Sequence, residues 1–514
     1  MPANATTTSL TSVSNKQEHT VHFTRMHSGG RCEGELPPTE AGLPPRRVYA
    51  HGVLPGEIAR VSLQGRRLGF RCGALQTLLE ASPQRVQPFC PHAAYCGGCP
   101  WQHMAYPAQL HWKRQILADA LAKYEIPVPL LPEVVPSPLL QGYRNKAEYA
   151  YSALRWYPDS TVREEPCFGF HPVEESRHVF ACESCFLQAP QSHALAQKAF
   201  ELALRLRLPL YHYPSRSGLL RSLQIRNTRQ GEWLCIFGFN IAAEEVLSTQ
   251  QALILDFLQQ YQALAPEMSA CSYTVSYAEA ARRDFYPAHQ HFCGSSHIEE
   301  QIDGLSFRLR PESFFQPNTL QATALYQKIR EWAGLSGQET VYDLYTGIGS
   351  IACYLAAGAR QITGIEGNPQ AVVDAQENAR RLGFPQAQFI QGDILETFTP
   401  SFVDSHPRAD VIVLDPPRAG TLTEIKKALL YAAPSKIIYV SCNPVSLAWD
   451  LKQLIAGGYR LSQIQAFDMF PHTQHVETVC LLEACAGTSP RIVGMLRMSK
   501  PPVGMEATEG SQID

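Results

Sequence analysis

From about Arg310 onward the chain alternates between helix-period and strand-like segments, and that alternation restricts the fold more than any other feature. Leu320 to Leu335 has an amphipathic helical pattern and Thr340 to Tyr345 reads as a strand. Ile351 to Ala357 follows as a helix, then Gln361 to Ile365 as a strand ending at Glu366. Pro369 to Leu382 is helical, Gln388 to Gln391 a strand ending near Asp393, and Val411 to Leu414 a strand ending at Asp415. Leu422 to Ala432 is helical, Lys436 to Ser441 a strand, and two further strands lie around Gln465 and Val479. Such a pattern predicts an α/β domain with a parallel sheet covered by helices on both faces. Ligands of open sheets of this kind sit at the carboxyl ends of the strands.

At one of those ends stands a thiol. Ile437-Ile-Tyr-Val-Ser-Cys442-Asn-Pro444 runs four β-prone residues into a cysteine and then into Asn-Pro, which does not continue a strand. Cys442 is either a small buried residue closing a strand or a nucleophile facing a ligand. The first strand leads into Asp343-Leu-Tyr345-Thr-Gly347-Ile-Gly349-Ser350, where glycines let a ligand approach the backbone. Glu366 ends the next strand, placed for the two hydroxyls of a ribose. Two glycines without a third depart from the dinucleotide fingerprint, so S-adenosylmethionine fits better than a nicotinamide cofactor.

Asp415-Pro-Pro-Arg418-Ala-Gly420 occupies the end of the fourth strand. Amine methylation at such a site requires no thiol, whereas methylation of a pyrimidine carbon does. C5 of uracil becomes nucleophilic only after something has added to C6, and a base must then remove the C5 proton. Asp468-Met-Phe-Pro-His472-Thr-Gln-His475-Val-Glu477 supplies a candidate base in Glu477. By residue type alone Glu477 reads as a solvated strand residue, and His472 and His475 as local hydrogen-bond formers.

The remaining chain must supply further domains, because 514 residues exceed what one core sustains. Short β-like runs (His51 to Val53, Ile58 to Leu63, Phe70 to Leu78) separated by Gly and Pro turns predict a barrel of about five strands over 21–82, after a disordered 1–20. Between residues 46 and 71, Arg46, Arg47, Arg60, Arg66, Arg67 and Arg71 oppose one acid, Glu57, as expected for a solvated surface or for a phosphate-binding barrel. Residues 83–130 hold Cys90-Pro-His-Ala-Ala-Tyr-Cys96-Gly-Gly-Cys99, three thiols too close together to be explained by packing. Spacing alone leaves zinc, completed by His92 or His103, and an iron–sulfur cluster both open. Cys167, Cys182 and Cys185 come next. Residues 131–309 read as a central α+β domain in which Tyr143, Arg144 and Lys146 are candidate RNA contacts, 310–486 as the α/β domain, and 487–514 as a loose tail. Fifteen cysteines without secretory context are expected to be reduced, and a net charge of −3 argues against indiscriminate nucleic-acid binding. No apolar run is long enough for a bilayer, so the expected protein is cytoplasmic, with no membrane and no DNA partner.

Several motifs together resemble the RNA 5-methyluridine (uracil-C5) methyltransferases, in particular the branch with an N-terminal TRAM domain and a [4Fe-4S] cluster that acts on 23S ribosomal RNA. Gly52-Val-Leu-Pro-Gly-Glu57 with Ser82-Pro-Gln-Arg-Val86 is similar to the TRAM domain, and the family's Tyr-Arg-Asn-Lys signature matches Tyr143 to Lys146. The Cys-x5-Cys-Gly-Gly-Cys run, Ser-Cys-Asn-Pro and Asp-Met-Phe-Pro-His-Thr-x-His-x-Glu also match the family. The resemblance implies a Rossmann-like class I methyltransferase domain, S-adenosylmethionine as cofactor, and a monomer acting on RNA, with 23S ribosomal RNA expected before transfer RNA. It implies Cys442 as nucleophile and Glu477 as base. It assigns the cofactor to Gln316, Tyr345, Ser350, Glu366, Asp393 and Asp415, and the cluster to Cys90, Cys96, Cys99 and Cys185, with Cys182 in reserve. Radical chemistry would require a Cys-x3-Cys-x2-Cys run, which is absent. A noncatalytic RNA-binding protein on the same scaffold is the alternative.

Overall fold

The computed structural model describes residues 18–38, 45–67, 70–128, 131–173, 175–241, 247–277 and 288–485. The expected tail at 487–514 and most of the segment 1–20 lie outside these residues. The chain divides into two compact units, residues 1–87 with 103–105, and residues 88–102 with 106–514. No helix among the described residues is long and apolar enough to cross a membrane.

The first unit is a closed barrel of five strands in the order Glu18–Met26, Cys32–Leu36, Arg46–Ala50, Phe70–Glu80 and Ile58–Arg67. It begins three residues earlier than the sequence suggests, and the expected strand at His51 to Val53 is instead a bend and extended segment after Arg46–Ala50. Val21, Phe23, Val48, Ala59 and Val61 fill its interior. Glu57 is not a surface counter-charge, because it is wholly buried. Its carboxylate accepts from Arg85 Nε (2.5 Å) and Nη2 (2.7 Å), from Leu54 N (2.7 Å) and from Ser82 N (3.2 Å). The barrel's two signature stretches are thus the halves of one buried, hydrogen-bonded ion pair. Burial alone would raise the Glu57 pKa, but these donors hold it below the usual range. Arg47 meets Glu33 (3.5 Å) and Arg60 meets Glu18 (3.6 Å), exposed pairs that contribute little.

In the second unit a nine-stranded sheet runs from Gln290–Gly294 through Ala270–Tyr277, Trp233–Ile241, Leu220–Asn227, Lys146–Ser152, Cys167–Phe170, Val179–Ala181 and Arg155–Trp156 to Val162–Arg163. Helices Pro190–Arg205 and Leu247–Leu264 pack on it over Tyr149, Tyr151, Leu223, Phe237 and Tyr261. The hairpin Ile298–Ile302 and Leu305–Leu309 buries its apolar residues in the core of the C-terminal sheet.

That C-terminal sheet has seven strands in the order Ala387–Gln391, Gln361–Glu366, Thr340–Leu344, Val411–Leu414, Lys436–Ser441, Glu477–Ala484 and Tyr459–Phe467. It is mixed where the sequence pattern predicted a parallel sheet: Glu477–Ala484 runs antiparallel to both of its neighbours. The central strands are buried on both faces, hence the unbroken apolar run of Val411–Leu414. Helices Thr319–Ala333, Ser350–Ala356, Pro369–Leu382 and Thr423–Ala432 fall within two residues of their predicted limits, whereas helix Pro444–Ala456 has no counterpart in the sequence expectation. Asn318 and Asn368 cap two of them through their side chains.

Candidate active site

Cys442 follows directly on Lys436–Ser441, and Asn443 caps the helix that begins at Pro444. Ser441 pairs with Thr478 in the antiparallel ladder, Cys442 follows Ser441 as the strand ends, and Glu477 precedes Thr478 on the neighbouring strand. A second pairing, Phe467 with Glu477, fixes the same residue from the opposite edge. The candidate nucleophile and base are therefore placed together by strand register. The Asp415–Gly420 loop is tied to this pair: Asn443 Nδ2 donates to Arg418 O (2.8 Å), as does Ser446 Oγ (3.1 Å).

Glu477 is buried, contrary to the solvated position that residue type alone suggests. Burial raises its pKa well above the ordinary carboxylate value, the nearby Asp415 raises it further, and Arg418 partly offsets both. Asp415 is itself pushed up to about 6 by burial. Arg418 Nη2 lies 3.5 Å from His475 Nδ1. Burial, then Arg418, Lys113 and Arg144, press the His475 pKa down to about 3, so this ring is neutral in any physiological buffer. His472 does not form local bonds only. Its backbone N–H donates to Gln109 Oε1 (2.8 Å), and its ring nitrogens meet Gln109 Nε2 (3.2 Å) and Leu140 O (3.0 Å).

The residues assigned to the cofactor line the adjoining strand ends. Tyr345 has a left-handed backbone (φ 63°) immediately beyond Thr340–Leu344. Gly347 also has positive φ, and a Cβ placed there would meet nothing within 4 Å, which leaves room for a ligand against the backbone. Glu366 accepts from Gly347 N (3.0 Å) and Asn368 N (2.8 Å), joining the two strand ends. Asp393 is exposed, accepts from Leu395 N (2.8 Å), and lies close enough to Tyr345 for its charge to act on the phenol. Ser350 Oγ hydrogen-bonds Tyr326 OH (2.8 Å). Gln316 is buried, and its backbone carbonyl accepts from Asn145 Nδ2 (2.9 Å).

Asp343 belongs to this group, although the sequence motif gave it no role. Its Oδ2 accepts from Thr346 Oγ1 (2.5 Å) and Ala352 N (3.1 Å), while Oδ1 is buried without a protein partner. Burial, with Asp415 and Glu366 adding, pushes its pKa up to about 7. A buried acceptor beside an open glycine loop suits a cationic or hydroxylic ligand, so these residues fit S-adenosylmethionine. A carboxyl whose folded pKa exceeds its unfolded value favours folding at low pH, and that contribution is lost as pH rises from about 4 to about 7. The ligand-free protein is accordingly expected to lose thermal stability over that interval. Asp343→Asn should flatten the loss, read by melting temperature against pH, and an unchanged slope would show that Asp343 is not its source.

Tyr143 is corrected from its expected role as a base-stacking residue. It is buried against Cys99 and Leu187, and its hydroxyl donates to Pro471 O (3.4 Å). Arg144 Nε donates to Lys146 O (3.1 Å). Among the described residues, no group of three or more His, Cys, Asp or Glu side chains is arranged to hold a metal ion. Cys90, Cys96, Cys99 and Cys185 are nonetheless all thiols within electrostatic reach of one another. Burial first, and then the charges of Cys96, Cys185 and Cys90, push Cys99 well up. Cys99 is buried and Cys90, Cys96 and Cys185 are half-buried, and their thiols oppose one another's ionisation. Cys182 feels Cys185, Cys96 and Cys90 as well. His92 Nδ1 is 3.7 Å from Cys90 Sγ.

The family described as tRNA (Uracil-5-)-methyltransferase matches residues 402–485, the segment holding Cys442 and Glu477. The family described as Conserved hypothetical protein 95 matches residues 318–443. A protein of Bacteroides thetaiotaomicron described as an uncharacterized RNA methyltransferase is 35% identical over 443 residues, 85% of this chain and 96% of its own length. One from Gloeobacter violaceus with a similar description is 33% identical over 470 residues, covering 91% and 96%. Among solved structures, the Pyrococcus abyssi tRNA (uracil-54, C5)-methyltransferase in complex with S-adenosyl-L-homocysteine superposes with a TM-score of 0.68 at 25% identity, across 90% of this chain and all of that one.

Proposed function

Because the chain belongs to the RNA uracil-5-methyltransferase family, we propose that it methylates C5 of a uridine in RNA, with Cys442 as nucleophile and Glu477 as base. The observation that supports this reading is the pairing of Ser441 with Thr478, which brings the strand ends that carry Cys442 and Glu477 side by side. The Cys442 thiolate adds to C6, and charge moves through C5 to O4. S-adenosylmethionine, when bound, supplies an electrophilic methyl group, and Asp343, Tyr345, Gly347, Glu366, Asp393 and Asp415, with Gln316 and Ser350, are the residues to hold it. After C5 has been methylated, Glu477 accepts the C5 proton, the electrons of that bond re-form C5=C6, and the Cys442 thiolate leaves. The buried Glu477, its pKa raised, is a strong enough base for a carbon acid once ionised. Reaching a uridine within folded RNA requires turning the base out of its stack.

Within this proposal Cys90, Cys96, Cys99 and Cys185 hold a [4Fe-4S] cluster that braces the fold and takes no part in methyl transfer, and the barrel acts as a TRAM domain. Aerobic loss of iron from Cys185→Ser but not from Cys182→Ser, measured as iron per chain, is the expected result. The reverse pattern would exchange the two assignments. The nine-stranded sheet adds arginines stacked on tyrosines: Arg155 and Arg163 lie over Tyr157 (4.7 and 4.4 Å), and Arg221 over Tyr211 (5.0 Å). Such pairs suit single-stranded RNA.

The proposed target is 23S ribosomal RNA, as the barrel and cysteine run imply through the resemblance. A second reading, transfer RNA, is favoured by the P. abyssi neighbour, a transfer-RNA enzyme that matches across 90% of this chain. The deciding experiment incubates anaerobically purified protein and S-adenosylmethionine with 5-fluorouridine-substituted ribosomal or transfer RNA. Fluorine at C5 does not leave as a proton, so a denaturation-resistant adduct on the Cys442 peptide is expected, and the attached fragment identifies the target. No adduct with either RNA, from protein that binds the cofactor, would favour the noncatalytic alternative.

A further inference from the structure

The connection between strands Tyr459–Phe467 and Glu477–Ala484, which leads into Glu477, is held by several residues from outside its own sheet. Its two ends, Phe467 and Glu477, face each other across the ladder, so any movement of residues 468–476 is passed directly to the base. Consecutive residues of this connection are gripped one by one. Asp468 N donates to Val135 O (2.9 Å), and its carboxylate takes the fully buried ammonium of Lys113. Met469 O accepts from Asn318 Nδ2 (3.2 Å), and Phe470 O accepts from Lys113 Nζ (2.9 Å). His472 receives Gln109 on both its backbone and its ring, and its carbonyl accepts from Trp101 N (2.9 Å).

Lys113 and Gln109 lie one turn apart on helix Tyr106–Lys123, and their side chains point into this connection. A lysine buried completely costs several kcal/mol in desolvation, which its ion pair and hydrogen bonds only balance. Apolar residues would hold a helix in place at lower cost, whereas a fixed pair of charges specifies one geometry. His472 is likewise kept in a left-handed backbone (φ 68°), a conformation disfavoured for a non-glycine residue.

We propose that Lys113, Gln109 and His472 are positioning residues that set Glu477 against the methylated base, and that loosening them slows proton removal selectively. The inference rests on the assignment of Glu477 as base. Addition of Cys442 and methylation precede the step that needs Glu477, so a displaced base leaves them intact and the covalent intermediate accumulates.

The test uses two variants of the full chain. Gln109→Leu removes both contacts to His472 with little change in volume. Lys113→Met combined with Asp468→Leu deletes the ion pair without leaving either charge buried alone. Each is mixed with S-adenosylmethionine and [5-³H]uridine-labelled transcripts of 23S ribosomal RNA and of transfer RNA. Adduct formation is expected to stay within about twofold of the unaltered protein, while tritium release falls about tenfold and adduct at steady state rises correspondingly. Tritium release at the unaltered rate, or adduct formation falling in step with release, would overturn the proposal and leave these residues a purely structural role. Glu477→Gln is run beside them. If it accumulates adduct and neither variant does, the positioning inference fails alone; if it accumulates none, or if the unaltered protein releases no tritium from either RNA, the assignment of Glu477 fails with it.

Discussion

Cys442→Ala is expected to lower methyl transfer by at least about 10⁴-fold, because the remaining groups have no means of making C5 of uracil nucleophilic. Serine at this position should do no better, since its hydroxyl is not ionised at neutral pH and is a far weaker nucleophile than a thiolate. Cofactor affinity should stay within about twofold of the unaltered protein, because the proposed cofactor residues lie on other strand ends. Single-turnover transfer from methyl-tritiated S-adenosylmethionine, with cofactor affinity measured by calorimetry, reads both quantities. Residual transfer within tenfold of the unaltered protein would remove Cys442 from the mechanism.

Glu477→Gln has a large effect of the opposite appearance. Turnover is expected to fall by about 10³-fold while a covalent protein–RNA species accumulates, stable in denaturing gels. Glutamine preserves shape and hydrogen bonding but takes no proton from carbon, so the reaction halts after methylation with the C6–sulfur bond intact. The pH dependence follows from the same burial. Glu477 serves as base only when ionised, and its raised pKa leaves it largely protonated at the acid end of the working range. Resolution of the adduct should therefore quicken as pH rises, and Glu477→Gln should lack that rise. A variant that turned over normally, or that formed no adduct, would exclude Glu477 as the base.

Much of the C-terminal domain was legible because its strands are buried on both faces. Val411–Leu414 and Ile437–Val440 are apolar throughout, and helix Pro369–Leu382 starts and stops at its Asn-Pro and Gly signals. The strand-end acids Glu366, Asp393 and Asp415 could be placed for the same reason. Asp343 escaped notice, since nothing in a strand's sequence reveals that one carboxylate oxygen will be left buried without a partner. Tyr143 misled in the other direction: an aromatic beside Arg144 and Lys146 reads as a surface feature, and only packing against Cys99 and Leu187 makes it interior.

The sequence by itself determined which chemistry was available: a thiol at a strand end, a carboxylate after Asp-Met-Phe-Pro-His, a glycine loop and clustered cysteines. Local propensity and periodicity suffice for these, because each depends on neighbours within a few residues. Only the tertiary structure decided that the strand ends carrying Cys442 and Glu477 lie side by side, since their 35-residue separation is closed by an antiparallel strand that sequence alternation misread as parallel. It likewise decided that Lys113 and Gln109, more than 350 residues from Asp468 and His472, grip the connection carrying the base. Such contacts are set by burial and register across the whole chain, and no short window of sequence encodes either.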